Sequence, residues 1–243
     1  WFAIILSPVL LIWLGLDNIF NLTALLAVLA ILLTRFCLPD GKVVKLQQVV
    51  WWKNSLQVIK ANKFYGCNFG VATIHAIFTM IMAVLAELLL KQDLVQLGNL
   101  SYWYAGYLVL SLSVSVPLII KADRDQCANK IIKVSWLGLG VVCVSLAFMQ
   151  QNLWLLSGLL VLFFAGFTVL ESLLMVTVGK LAVASQRGAV MGVYSTCQFF
   201  GIFLGGFLVG MVGEKFAIEG VFLLSFALIL LNGIFLLKSK VSS

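Results

Sequence analysis

Three ionisable side chains fall inside long apolar runs of the sequence, where a charge is costly. They are His75, Glu87 and Glu171. A charge at the centre of a membrane helix costs about 2.5–3.5 kcal/mol on insertion scales, so each of the three is a candidate for proton chemistry. At 1.5 Å per helical residue, His75 lies ~16 Å into its run and Glu171 lies ~27 Å into its own. Glu87 is close to the end of its run, where the carboxylate reaches interfacial water.

The two deeper groups each have a structural alternative. His75 is the only histidine of the chain, and histidine titrates near neutral pH, as a proton-binding group must. A neutral histidine bonded to a neighbouring helix would leave the same pattern. Glu171 could carry a proton in coupling or gating, or it could form a structural hydrogen bond to another helix. The sequence leaves both alternatives open.

Polar side chains recur at helical spacing in the apolar runs. The spacings are i, i+7 and i+11 in one run and i, i+4 in two others, so each set shares a helix face. In an apolar pocket such groups can hold a drug-sized ligand by a few hydrogen bonds, although a serine can also bond its own backbone. The residues that we predict to line a substrate cavity, together with His75, are Asn68, Thr79, Tyr107, Ser111, Tyr194 and Gln198.

The composition indicates a polytopic α-helical membrane protein. Of its 243 residues, 63% are hydrophobic and 10% are charged, whereas soluble domains have about 25% charged residues. The apolar runs approach or exceed 18 residues, which suits helices and not the short strands of a barrel. The net charge of +7 does not indicate nucleic acid, because the basic residues lie between the apolar runs. Without CxxC, HExxH, GxSxG or a P-loop, we predict neither a metal site nor an enzyme.

Eight apolar segments alternate across the predicted membrane. The connector 37–63 carries five lysines and apolar positions at helical spacing, which predicts a basic amphipathic helix on an anionic membrane face or a solvated linker. If this connector is cytosolic, all of the 16 basic residues except Lys91 and Lys215 lie on the cytosolic side, as the positive-inside rule requires. Both ends of the chain are then cytosolic. The segments are about 1–15, 19–36, 64–90, 99–120, 131–149, 153–178, 189–213 and 217–237.

The seventh segment is unusually rich in glycine. Two GxxxG pairs, 201/205 and 206/210, predict close approach of neighbouring helices because no Cβ stands between the backbones. Tight packing without any role in function is the alternative. The glycines that we predict to pack against other helices are Gly188, Gly192, Gly201, Gly205, Gly206 and Gly210.

A family resemblance becomes visible at residues 167–206, FTVLESLLMVTVGKLAVASQRGAVMGVYSTCQFFGIFLGG. This stretch resembles helices ten and eleven of major facilitator superfamily transporters, specifically the drug:proton antiporter branch and its YajR-type members. Residues 2–20 and 68–78 are similar to corresponding stretches of that group. Pro8 matches the helix-five signature of antiporters, whereas the glycines of that signature are absent.

The resemblance implies a partial major facilitator fold, all-α, with about eight transmembrane helices read as helices five to twelve. Residues 1–36 would be the last two helices of the N-terminal bundle, 37–63 a cytosolic linker, 64–237 the six-helix C-terminal bundle and 238–243 a short tail. The chain begins inside a helix, so we expect the first four helices to be missing.

The resemblance also implies a function. We expect proton-coupled efflux of small apolar or cationic compounds by alternating access, with a proton gradient as energy source and no cofactor. The protein would be a monomer in the bilayer of a bacterial inner membrane, with a small-molecule substrate. Glu171 matches the family's helix-ten acid, and the loop 121–130 resembles its second gating loop, with Asp123 and Arg124 as the charge pair. A loop that only sets topology, and a non-functional fragment of a transporter, are the alternatives.

Overall fold

The computed structural model describes residues 2–37, 62–92, 95–149, 151–183 and 186–238. All regular structure in these ranges is helical. The predicted amphipathic helix of 37–63 lies outside the described residues, apart from residues 37, 62 and 63. The helices are α1 (Phe2–Cys37), α2 (Asn62–Leu90), α3 (Leu100–Arg124), α4 (Ala128–Phe148), α5 (Leu153–Leu181) and α6 (Arg187–Lys238), with a 3₁₀ turn (Leu97–Asn99) before α3.

Six helical stretches of the described residues are long and apolar enough to cross a membrane. The all-α membrane class predicted from composition is thereby confirmed. The first two of the eight predicted segments are joined in α1, and the last two are joined as two arms of α6. The six stretches are Val9–Cys37, Phe64–Leu90, Leu97–Arg124, Ala128–Phe148, Leu153–Leu181 and the first arm of α6, Arg187–Met211; its second arm, Ile218–Gly233, is a shorter apolar helix.

Helix α1 is interrupted at Gly15, two residues before the turn expected at Asp17 and Asn18. Gly15 has φ 72° and ψ 167°, a left-handed conformation that glycine adopts without a Cβ clash. The side-chain amide of Asn18 donates to the carbonyl of Leu14 at 2.8 Å, so one carbonyl freed by the break has a partner. Helix α1 packs against α3 and the 3₁₀ turn, and nearly all of its described side chains are exposed.

Helix α6 folds back on itself between its two arms. Gly201 in the first arm packs against the backbone of Ala72 in α2. Asn232 in the second arm donates from Nδ2 to Oγ1 of Thr73, at 3.2 Å. A straight helix would separate positions 201 and 232 by ~46 Å, yet both lie at the same level of α2. The two arms are therefore two passes along the bundle.

The core surrounds α5, which packs against α2, α3, α4 and α6. Large apolar side chains fill it, among them Phe163 and Leu170 of α5, Ile74 of α2 and Phe222 of α6, all at most 1% exposed. Helix α2 lies between α5 and both arms of α6. The polar residues of α2 are consequently held against two neighbours whose positions are fixed by apolar packing.

Candidate functional site

Three helices bring His75, Glu171 and Gln198 together inside the bundle. His75 Nε2 lies 3.5 Å from Glu171 Oε1 and 2.9 Å from Gln198 Nε2. The other ring nitrogen, Nδ1, lies 3.0 Å from the carbonyl oxygen of Val71. The side chain of His75 is 5% exposed and that of Glu171 is 37% exposed. The carboxylate therefore forms the accessible edge of the site, and the imidazole lies behind it.

The close crossing of α2 and α6 positions Gln198 against His75. A Cβ built on Gly201 would lie 2.8 Å from Cα of Ala72, and one built on Gly205 would lie 2.9 Å from Cα of Ala76. These distances are too short for any side chain, so the two helices touch backbone to backbone. Gln198 lies one turn before Gly201, which puts its amide within reach of the imidazole.

The other glycines of α6 that we predicted to pack closely make no such contact. A Cβ built on Gly188, Gly192, Gly206 or Gly210 meets nothing within 4 Å. The structure thus brings the 201/205 pair against α2 and leaves the 206/210 pair facing open space.

Aromatic rings cover one side of the site. The ring of Phe167 stands edge-on to His75, with centroids 5.3 Å apart. Phe78 stacks on Phe167 at 4.3 Å and meets Phe164 edge-on at 6.3 Å. Because Phe78 lies one turn beyond His75 in α2, this apolar layer separates the imidazole from the C-terminal end of that helix.

Two further predicted residues lie on the other side, toward the N-terminal end of α2. Asn68 shares the helix face of His75, two turns earlier, and Tyr194 lies near Cys67 and Glu171. Both side chains are buried. Asn68 Oδ1 and the Tyr194 hydroxyl have no hydrogen-bond partner among the described residues.

The remaining predicted cavity residues are not part of this cluster. Thr79 Oγ1 donates to the carbonyl of His75 within α2, and Ser111 Oγ donates to the carbonyl of Leu108 within α3, both at 2.8 Å. Ser111 thus adopts the backbone-bonded alternative. The Tyr107 hydroxyl lies 3.0 Å from Ser157 Oγ and joins α3 to α5.

A groove of about 880 Å³ opens between α3 and α5, and Tyr107 is the predicted cavity residue that lines it. Its size lies within the 300–1,000 Å³ of ordinary small-molecule sites. No charged side chain lines it. The lining is apolar apart from hydroxyl and indole groups, and it consists of Tyr102, Trp103, Gly106, Tyr107, Leu110, Ser113, Val114, Trp154, Leu155, Ser157, Gly158, Leu159, Val161 and Leu162.

The partner of Asp123 differs from the one that the sequence indicated. Asp123 Oδ1 lies 3.3 Å from Nζ of Lys180, at the end of α5, so the predicted pair with Arg124 is replaced by a pair between two helices. Adjacent residues of a helix point in different directions, whereas the ends of α3 and α5 lie side by side. Both charged groups are exposed.

Sequence reasoning also missed the buried pair Thr73 and Asn232. The sequence pattern that could have indicated this pair is that Thr73 and Asn232 are each a polar residue within an apolar run. Glu87, the third ionisable group, is exposed and pairs with Lys91 at 2.8 Å. Within the described residues, no three His, Cys, Asp or Glu side chains are grouped so that they could hold a metal ion.

Comparison with known proteins identifies the family. Residues 2–205 match the sequence profile of the Major Facilitator Superfamily. The chain belongs to the Major Facilitator Superfamily. This confirms the resemblance seen at residues 167–206. It also makes the chain an integral membrane protein of a family that carries out membrane transport.

Three curated relatives of this superfamily member are named as transporters. The inner membrane transport protein YajR of Escherichia coli (strain K12) is 30% identical over 224 residues, which is 91% of this chain and 49% of YajR. Two uncharacterized transporters of Buchnera aphidicola are 26% and 25% identical, over 84% and 86% of this chain and 53% and 54% of their own lengths. The chain spans about half the length of the curated relatives it matches.

Proposed function

We propose that the protein is a secondary active transporter that exports small apolar or cationic compounds in exchange for protons, by alternating access. The observation that carries the proposal is the His75–Glu171 pair, 3.5 Å apart inside a helical bundle of membrane length. Ionisable residues in such a position mark ion or proton pathways in membrane proteins.

The arrangement supports proton binding at Glu171 and transfer to His75. The carboxylate is at the accessible edge and takes up the proton, and Nε2 of His75 is the nearest basic atom behind it. The rings of Phe78 and Phe167 lie beyond the imidazole, so a proton that enters past Glu171 does not leave through that layer.

Exchange follows from competition for one carboxylate. An ionised Glu171 attracts a cationic compound by its charge. A proton held on Glu171, or on His75 beside it, neutralises that charge, so proton and cation cannot both be held there. For uncharged compounds, the groove between α3 and α5 supplies an aromatic surface with a few hydroxyl groups, as small-molecule sites commonly do.

The ion pair between Asp123 and Lys180 supports a role in the conformational cycle. It joins the ends of α3 and α5 in the observed conformation, so a relative movement of these helices would break it. An exposed pair is worth under ~1 kcal/mol, which suits a contact that opens and closes in each cycle.

A proton-flux assay tests the proposal. The protein, expressed from its own gene, is reconstituted in liposomes that contain a pH-sensitive dye and an acidic interior. Addition of a lipophilic cation should raise the internal pH as protons leave in exchange. We expect Glu171→Gln to reduce this flux about 100-fold, because the amide can neither take up nor release the proton.

Glu87→Gln is the matched control, since it makes the same chemical change at an exposed glutamate of α2. It should leave the flux unchanged. A panel of neutral and cationic aromatic compounds would show which class is carried. Undiminished proton exchange in Glu171→Gln would remove the carboxylate from the mechanism.

A further inference from the structure

The hydrogen bonds around His75 define which of its nitrogens carries hydrogen. The carbonyl oxygen of Val71, 3.0 Å from Nδ1, can only accept. Nδ1 must therefore be an N–H donor. In the neutral ring, Nε2 then has a free lone pair and is an acceptor.

The amide of Gln198 matches this neutral form. Its nitrogen, 2.9 Å from Nε2 of His75, donates a hydrogen bond into that lone pair. Gln198 therefore stabilises the uncharged ring, which would otherwise hold an unsatisfied acceptor in the interior of the bundle.

Protonation of Nε2 reverses this preference. The new N–H would point at the donor nitrogen of Gln198, and two donors cannot bond each other. The anionic acceptor beside the ring is Oε1 of Glu171, 3.5 Å away on a different helix, and it gains a charge-assisted bond from the imidazolium.

We propose that Gln198 is a positioning residue that holds His75 neutral. Protonation then changes the hydrogen-bond partner of the imidazole from Gln198 on α6 to Glu171 on α5. One proton is added at Nε2 and no covalent bond between heavy atoms changes. The Gln198 amide is released.

The other groups around the ring do not replace these partners. From α5, Glu171 is the charged group and Phe167 contributes an uncharged ring. From α6, Tyr194 and Cys197 are the titratable side chains near Gln198, and Asn232 bonds Thr73. Within α2, Cys67 is the nearest titratable residue and lies two turns away.

This change of hydrogen-bond partner couples proton binding to the contacts between helices. Gln198 precedes the backbone contact at Gly201 by one turn, so α2 and α6 stay in contact when its amide is released, and the new bond ties α2 to α5. This use of the switch rests on the proposed function, since proton coupling is what would exploit it.

Nitrogen NMR of the histidine ring tests the switch without any transport measurement. The protein is labelled with ¹⁵N-histidine in lipid nanodiscs, and the His75→Gln spectrum identifies the His75 signals. At high pH we expect Nδ1 to be protonated and Nε2 unprotonated. A neutral ring protonated at Nε2 would overturn the proposal.

Two variants should move the titration of that signal in opposite directions. Gln198→Met removes the donor that favours the neutral ring, so the midpoint should move to higher pH by about one unit. Glu171→Gln removes the anion that favours the charged ring, so the midpoint should move to lower pH by about as much. A midpoint that Gln198→Met leaves in place would show that Gln198 has only a structural role.

Thr196→Val is the matched control on α6. Its hydroxyl bonds the carbonyl of Gly192 within its own helix and is exposed, so the midpoint should not move. The NMR and flux outcomes are separable. Shifted midpoints without proton flux would refute the transport proposal alone, and proton-coupled flux with unmoved midpoints would refute the switch alone.

Discussion

Some of the polar side chains inside this bundle form pairs that join two helices. Such bonds contribute ~0.6 kcal/mol on average in membrane proteins, with a maximum near 1.7 kcal/mol. Each pair therefore adds little stability, but it fixes which helix faces meet. The pairs are Thr73 with Asn232, His75 with Gln198, and Tyr107 with Ser157.

The pair between Thr73 and Asn232 should show measurable coupling. We expect a double-mutant cycle of Thr73→Val and Asn232→Leu to give a coupling free energy of about 0.6 kcal/mol. Denaturant unfolding of the protein in mixed micelles would measure it. Thr196→Val combined with Asn232→Leu should be additive, because Thr196 bonds only its own helix. Strict additivity in both cycles would contradict a stabilising bond.

At the residue scale, the sequence identified the chemistry but not the neighbours. His75 and Glu171 stand out because an ionisable group in an apolar run is visible without any structure. Gln198 was predicted to line a substrate cavity, and its contact with the imidazole was not predicted. Which side chain it meets depends on the rotation of α6 about its axis, and a single sequence does not determine that rotation.

At the element scale, two glycine pairs with the same spacing have different surroundings. The 201/205 pair touches the backbone of Ala72 and Ala76, and the 206/210 pair meets nothing within 4 Å. The GxxxG spacing predicts that some face of the helix is smooth. It does not indicate which of two overlapping smooth faces has a neighbour.

Alanine substitutions should separate the two pairs. We expect Gly201→Ala to lower the free energy of unfolding by about 1–3 kcal/mol, as overpacked side chains do. Gly206→Ala should leave it unchanged or raise it by up to ~1 kcal/mol, because alanine favours the helix over glycine. Unfolding in mixed micelles measures both. Equal effects of the two substitutions would be incompatible with backbone contact at Gly201 alone.

The pair between Asp123 and Lys180 offers a second test at this scale. Asp123→Lys places two like charges together and should change stability by less than ~1 kcal/mol, since both groups are exposed. It should nevertheless alter the proton flux if the pair stabilises the observed conformation. The exchanged variant, Asp123→Lys with Lys180→Asp, should restore the flux, and failure to do so would argue against a latch.

At the scale of the whole molecule, composition and run length predict the helical membrane class, and the residues 167–206 predict the family. Both predictions are confirmed. The sequence predicted a break between the two segments that form the arms of α6. It did not predict at which position along α2 the two arms make contact. That level depends on contacts such as Asn232 with Thr73, which bring distant parts of the sequence together.

The orientation predicted from the basic residues can be checked with the protein's own thiols. Cys127 lies in the connection between α3 and α4 and is partly exposed, whereas Cys67 and Cys143 are buried. We expect a membrane-impermeant maleimide to label Cys127 from the cytosolic side only. A cysteine at Gln151, an exposed position between α4 and α5, should react from the opposite side in a variant that lacks the native thiols. Labelling of both positions from one side would contradict the orientation.

The backbone contact between α2 and the first arm of α6 has a consequence for how the bundle can move. With only Cα atoms and carbonyl groups between Gly201 and Ala72, neither helix can turn about its own axis without driving a side chain into its neighbour. The two helices must tilt as one rigid unit. Any opening of the bundle toward either side of the bilayer is therefore carried by the other helix contacts, where glycines such as Gly140 and Gly166 face side chains and not backbone.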